Sequence, residues 1–305
     1  MQFIRTHRAS RTLAVAAAFS LVLTACGSGS DSDGDGATAG GDGADKTITL
    51  GFIPSWTDGL STAYLLQNQL EEQGYTVKMQ TLTEAAPLYT ALSKGDVDIY
   101  PSAWPEVTHA KYMETYGDDI EDLGAYYDNA KLTFAVPEYM DITSIDELPG
   151  IADELGGKVI GIEPGAGLTG VTKDSVFPEY ELGKDFTLVE SSTTAMLAEL
   201  KKATDAQEPI VVTLWKPFWA NSAFPVRDLE DPKGALGEPE GLHFLATKGF
   251  ADEHPEAAEM IGSIKLDDAL YGDLEDKVVN QFGDGKEPEA IKAWLEEHPD
   301  AIKAG

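Results

Sequence analysis

Two stretches of the chain, residues 50–136 and 155–215, alternate short apolar runs with segments of helical period. The first run starts with a strand over Thr47–Phe52, ended by Pro54. A helix over Leu60–Gln73 follows, with Leu60, Ala63, Tyr64 and Leu70 at helical spacing and Gly74 closing it. Tyr75–Leu82 alternates as a strand does, Ala86–Lys94 reads as a short helix stopped by Gly95, and Val97–Tyr100 and Lys131–Val136 read as strands. The second run comprises strands over Lys158–Ile162, Phe186–Val189 and Ile210–Leu214, with a Gly-rich turn after the first and a helix over Thr194–Lys202. Leu242–Ala246 is one more strand. From Asp252 onward the pattern is helical, with Trp294 beside Ile291 and Leu295. Strands alternating with helices predict parallel sheets covered on both faces. Two such runs predict an α/β fold of two lobes with a cleft between them. Ligand sites in open α/β sheets lie outside the carboxyl ends of the strands.

The size and charge of the chain narrow its partners. Its 305 residues suffice for two cores without disulfide staples, and a single Cys excludes a disulfide framework or a Cys-based zinc site. Lys and Arg total 22 against 53 Asp and Glu, a formal charge of −31, which opposes binding to nucleic acid or to anionic lipid through a protein surface. At the N-terminus, Arg5, Arg8 and Arg11 precede an apolar run from Leu13 to Leu23, the pattern of a secretory signal over residues 1–25. The only Cys follows at once, in Leu23-Thr24-Ala25-Cys26-Gly27. This resembles the lipobox of bacterial lipoproteins, which implies lipidation at Cys26 and an anchor on the extracytoplasmic face of the cell membrane. Residues 26–45 are Gly, Ser, Asp and Ala almost throughout, a composition that reads as a flexible, self-repelling tether. Its Asp-Gly pairs lack the Glu-terminated spacing of a calcium loop.

The tryptophans carry the functional signal. Trp56, Trp104 and Trp215 each follow a predicted strand, and they come from both lobes. A single Trp at such a place is ordinarily a lid on the core. Three facing one crevice suit a cation without N–H donors, because indole faces present negative quadrupole and demand no hydrogen bond. Sugar stacking is the other aromatic use, but few Asn, Gln or Arg lie near these residues. Phe134, late in its strand, is a further candidate wall, with Tyr89 and Tyr139 behind it. Asp58 has two readings: a group facing the cation or a ligand hydroxyl, or an N-cap for the helix near Leu60.

Other patterns carry less. Gly165-Ala166-Gly167-Leu168-Thr169-Gly170 fits the dinucleotide fingerprint, with Glu190 twenty residues on. Phe177 and Pro178 leave little helix between the two strands, however, and an exported protein would not meet the cytoplasmic cofactor. The same amides at a helix start suit a ligand carboxylate. Ser191, Ser192, Thr193 and Thr194 read as N-capping. His109, His243, His254 and His298 show no ligand spacing and read as surface or satisfied positions. With no nucleophile elbow and no metal set, an exported α/β enzyme is the weaker reading.

The segments GFIPSWTDG (51–59), DVDIYPSAWPEVTH (96–109), LTFAVPEY (132–139), KVIGIEPGAGLTG (158–170), SSTTAMLAEL (191–200), EPIVVTLWKPFWA (208–220) and DLEDPKGALGE (228–238) together resemble the substrate-binding lipoproteins of ABC-type glycine betaine, proline betaine and choline importers. The resemblance runs from Ile48 to about Pro299. It implies a periplasmic-binding-protein-like fold of type II, with lobe 1 at 46–136 plus 243–305 and lobe 2 at 137–242. It also implies a monomer without cofactor, metal or catalytic residues, delivering a quaternary ammonium solute to a permease. Motif by motif it implies a cage of Trp56, Trp104 and Trp215. Phe134 falls where relatives often have Trp or Tyr, and Gly165, Ala166 and Gly167 line the cleft. Phe218 stands where relatives often carry His. The first motif looks more like the choline branch and the later ones more like the glycine betaine branch, so glycine betaine is expected and choline is the alternative.

Overall fold

The structure, a computed structural model, describes residues 46–302. The signal, the lipidated Cys26 and the tether expected at 1–45 lie outside the described residues. In chain order the elements are β1 (Thr47–Phe52), α1 (Thr57–Glu72), β2 (Thr76–Thr81), α2 (Ala85–Lys94), β3 (Ile99–Ala103), α3 (Ala110–Tyr116), β4 (Ile120–Pro137) and β5 (Lys158–Ile160). Next come α4 (Gly167–Val171), running on through a π-helical turn (Thr172–Val176) into α5 (Phe177–Glu179), then β6 (Thr187–Val189), α6 (Thr193–Ala206), β7 (Val212–Lys216), α7 (Ala220–Ala223), β8 (Val226–Asp228) and β9 (Glu240–Thr247). The chain closes with α8 (Phe250–Glu253), α9 (Pro255–Ser263), α10 (Asp268–Asp276) and α11 (Glu287–Glu297). Among the described residues no helix is long and apolar enough to cross a membrane.

The predicted strands and helices form, with one consequential difference in how they pair. The strands run in the order β2-β1-β3-β9-β4-β7-β5-β6, with β8 beside β4. Pairs β1–β2, β1–β3, β5–β6 and β5–β7 are parallel, as the alternation requires. The pairs around β4 and β9 are antiparallel, so the sheet is mixed and not purely parallel. The reason is β4, which is 18 residues long. Its first part, Ile120–Ala130, pairs with β9; from Lys131 to Pro137 it pairs with β7 and β8. One strand thus joins a first half-sheet (β2-β1-β3-β9) to a second (β7-β5-β6 with β8). Register shifts cluster in its first part, and Gly124 there takes φ +113°, the left-handed side that glycine tolerates. Only 131–136 was legible as strand, because the preceding residues are too polar and irregular to alternate.

The helices follow their apolar faces. Leu65, Leu66 and Leu70 of α1 are buried against the first half-sheet, and Trp294 of α11 is fully buried, as its amphipathic pattern predicts. Gly95 closes α2 in the left-handed conformation. α1 begins three residues earlier than the periodicity indicates, because its first turn, Thr57-Asp58-Gly59, is polar yet buried. β9 lies between β3 and β4, and Leu245 on it pairs with Tyr100 on one side and Asp122 on the other and is fully buried. Replacing Leu245 with Ala should cost about 2–5 kcal/mol of unfolding free energy, read from urea denaturation, because it removes buried apolar contacts and leaves a cavity in the core.

Candidate ligand site

The carboxyl ends of β1, β3, β5 and β7 converge on a small cavity. Its walls are Trp56, Asp58, Trp104, Thr108, His109, Leu132, Ile162, Ala166, Gly167, Leu168 and Trp215. The structure therefore brings together the three expected tryptophans, Asp58 and two of the three turn residues. Trp56 ends the turn after β1, with its backbone N–H bonded to the Ile53 carbonyl at 3.0 Å. Trp104 follows β3 directly. Trp215 lies in β7 opposite Leu132 of β4, so these two side chains stand next to each other on one face. Phe218 lies flat on Trp215, with ring centroids 4.0 Å apart and planes at 19°, and fixes that wall from behind.

Phe134 is a correction. It is fully buried and does not line the cavity. The sequence reading placed it near the cleft as a late strand residue, but β4 runs antiparallel to β7. Its cleft end is therefore the earlier one, and Leu132, two residues before on the same face, takes the position. Tyr89 and Tyr139 also lie elsewhere: Tyr89 is stacked on Tyr112 beneath the site, and Tyr139 donates to the carbonyl of Glu208. The Gly turn is partly used within the protein. The Gly165 amide donates to Glu84 Oε2 at 3.1 Å and the Ala166 amide to the Glu163 carbonyl at 3.0 Å. Gly167 and Leu168 open α4, and the first amides of a helix have no partner inside it. A Cβ on Gly167 would sit 2.1 Å from the Thr108 carbonyl oxygen, so glycine is required for this close approach.

The polar atoms around the cage hold its walls. Asp58 lies inside the first turn of α1, since the helix starts at Thr57, which removes the N-cap reading. It is buried, and its Oδ2 accepts from Ser102 Oγ at 2.7 Å and from Trp104 Nε1 at 3.2 Å. Because Ser102 spends its one proton on Asp58, its 2.8 Å contact with Tyr126 has the Tyr126 hydroxyl as donor. Burial raises the Asp58 pKa, and the two side-chain hydrogen bonds oppose that shift. Among the described residues no Lys, Arg or His forms an ion pair with it.

His109 was read as a satisfied or surface position and proves to be a buried wall. Its Nδ1 accepts the Trp104 backbone N–H at 3.2 Å, so the ring proton resides on Nε2. Burial pushes its pKa down to about 3, which keeps it neutral. Its ring lies 6.2 Å from that of Trp56, nearly parallel at 23°. The sequence signal was its place five residues after Trp104. Glu163, Ser102 and Tyr126 also escaped sequence reasoning, since single polar residues in strand-end segments carry no periodic mark. Elsewhere, Asp273, Glu297 and His298 cluster, but Lys277 already supplies their cation, 2.9 Å from Glu297.

The cavity thus presents indole faces, aliphatic carbon, a neutral imidazole and one carboxylate, with no basic side chain on its walls. That combination favours a cation that offers carbon and not N–H donors. Residues 46–297 match the family described as the substrate binding domain of the ABC-type glycine betaine transport system. The chain belongs to this family. Among its relatives is the glycine betaine/carnitine transport binding protein GbuC of Listeria monocytogenes, 32% identical over 161 residues, 52% of this chain and 51% of that protein. The chain therefore spans about half the length of that curated relative. Lactococcal OpuAC, solved closed with glycine betaine, superposes with a TM-score of 0.78 at 29% identity, covering 85% of this chain and 98% of that one. An ABC-transporter choline binding protein in complex with choline superposes at 0.76 and 25% identity, covering 85% and 91%. Membership in this family identifies the fold as two-lobed, with α/β layers in each lobe.

Behind the cage, Thr57 Oγ1 donates to Glu275 of α10, which is buried. Burial, with the nearby Asp58 charge adding to it, lifts the Glu275 pKa from its ordinary 4.5 to about 8. The folded state then keeps a proton that the unfolded chain releases. This contribution to stability is complete below 4.5 and is lost as pH rises through about 8. Urea denaturation at about pH 5 and about pH 9 should show wild type losing stability relative to Glu275→Gln as pH rises, and a constant difference would contradict it.

Proposed function

We propose that this protein is the extracytoplasmic receptor of an ABC importer for a quaternary ammonium solute, with glycine betaine as the ligand. The observation that carries the reading is the convergence of Trp56, Trp104 and Trp215 on one cavity beside the buried Asp58. The three indoles surround the trimethylammonium group, each contributing about 0.5–2 kcal/mol, and Asp58 adds negative potential on the same side. The ligand carboxylate goes to the first amides of α4, at Gly167 and Leu168, where backbone donors and the helix dipole favour an anion. His109, with its proton on Nε2, is one available side-chain donor on the cavity wall.

The body divides, in this reading, into a lobe on β1, β2, β3, β9 and the first part of β4, and a lobe on the rest of β4 with β5 to β8. Support comes from the change of pairing partner between Ala130 and Lys131. The lobes close on the ligand, and the closed form is delivered to the permease. A lipid on Cys26 and the tether after it keep the receptor at the membrane, as a monomer.

Choline is a second reading, favoured by Asp58: its carboxylate can accept from a ligand hydroxyl, which glycine betaine lacks. Calorimetric titration of the purified protein with glycine betaine and then choline tests both. Tight binding of glycine betaine supports the first reading, a preference for choline moves the assignment to the second, and no binding of either rejects the cage. Trp215→Ala should weaken binding by about 1–3 kcal/mol, and an unchanged affinity would remove Trp215 from the site. In the same titrations, Asp58→Ala is expected to reduce choline affinity more than glycine betaine affinity.

A further inference from the structure

We infer that Glu163 is a positioning residue that latches the two half-sheets together and sets Trp56 in the cage as they close. The inference rests on the proposed function, because it concerns how that cage is assembled. Glu163 lies just beyond β5 in the second half-sheet and is 6% exposed. Four donors converge on its two carboxylate oxygens. Two belong to its own side: the backbone N–H of Thr193 at 3.0 Å and the Thr193 hydroxyl at 2.9 Å, at the start of α6. Two come from the first half-sheet: the indole N–H of Trp56 at 3.2 Å and the Ser55 hydroxyl at 3.3 Å.

This division makes a latch. When the halves separate, the Thr193 bonds remain and keep the carboxylate aimed, while both bonds to the loop after β1 break. The indole N–H then has only water as a partner, and the Trp56 ring loses the contact that fixes its plane. Closing and orienting Trp56 are therefore one event. A second carboxylate makes a crossing contact without touching a cage wall: Glu84, between β2 and α2, accepts the Gly165 amide. Both contacts exist only in the closed arrangement, so they slow ligand release and leave the first encounter largely unaffected.

Stopped-flow tryptophan fluorescence with glycine betaine, and with choline in parallel, reads this out. In Glu163→Gln the release rate should rise about ten-fold while the association rate stays within about two-fold. The indole ¹H–¹⁵N signal of Trp56 should shift as the charged carboxylate acceptor is replaced by a neutral amide with one acceptor oxygen. Glu84→Gln should also speed release but leave that indole signal in place, which separates the latch from general weakening of the closed form. A release rate within about two-fold of wild type in a cooperatively folded Glu163→Gln protein, or an unmoved Trp56 signal, would overturn the inference. If that variant does not fold, Ser55→Ala removes one crossing donor alone and should raise the release rate several-fold; an unchanged rate overturns the latch. Should wild type bind neither ligand, the proposed function fails. The latch is then decided by the Trp56 signal and by ligand-free X-ray scattering, where Glu163→Gln should give a larger radius of gyration and an equal one counts against it.

Discussion

A buried indole N–H is costly unless it finds an acceptor away from the face turned to the cavity. For two of the three cavity tryptophans the structure supplies that acceptor with a buried carboxylate. Asp58 accepts from Trp104, and Glu163 accepts from Trp56. Each acid needs further donors to be tolerable at that depth, which accounts for Ser102 and Tyr126 around one and Thr193 and Ser55 around the other. Much of the buried polar chemistry near the cleft follows from placing large aromatic rings on edge with their polar atoms turned outward. Trp215 lines the same cavity but is held differently, by the flat stack of Phe218 behind it.

The acids do a second thing. Negative charge behind the rings strengthens their attraction for a cation, and the absence of Lys and Arg from the walls leaves it unopposed. The neutral state of His109 is part of this arrangement. A protonated imidazole next to Trp56 would compete with the ligand for the same potential, and burial keeps the ring uncharged. His109 instead fastens the loop after β3, taking the Trp104 amide on Nδ1 while its own amide donates back to the Trp104 carbonyl at 2.8 Å.

β4 gives the molecule its mechanical character. A strand that pairs with β9 over its first part and with β7 and β8 over its second is continuous through both half-sheets. Bulges in the first part release strict register there. In the proposed closure, bending along this strand would change the separation of the carboxyl ends. Polar contacts that bridge the ends include Glu163 with Trp56 and Ser55, Glu84 with Gly165, Tyr112 with the Gly165 carbonyl, and Lys111 with Asp174, beside the close approach of Gly167 to Thr108. Polar contacts of this kind exchange for water at modest cost, as a closure that must reverse requires.

The local sequence was enough for the elements whose chemistry is local. Period-2 and period-3.6 patterns placed β1, α1, β2, α2 and α11, glycines marked where helices stop, and strand-end tryptophans marked the cleft. Those features depend on a few neighbouring residues, so a one-dimensional reading captures them. Pairing direction depends on residues far apart in the chain, 85 positions for Lys131 and Lys216, and there the reading failed: β4 is antiparallel to β7, which turned Phe134 into core and put Leu132 at the cavity. The same holds for the polar network. Glu163 and Trp56 are 107 positions apart, and nothing near either residue in the chain indicates their hydrogen bond. The residue types available to the cavity, and the end of the sheets they occupy, were readable from local pattern. Which walls meet, how the N–H groups of Trp56 and Trp104 are satisfied, and which carboxylate bridges the half-sheets emerge on folding, because they are matters of distance between segments remote in the chain.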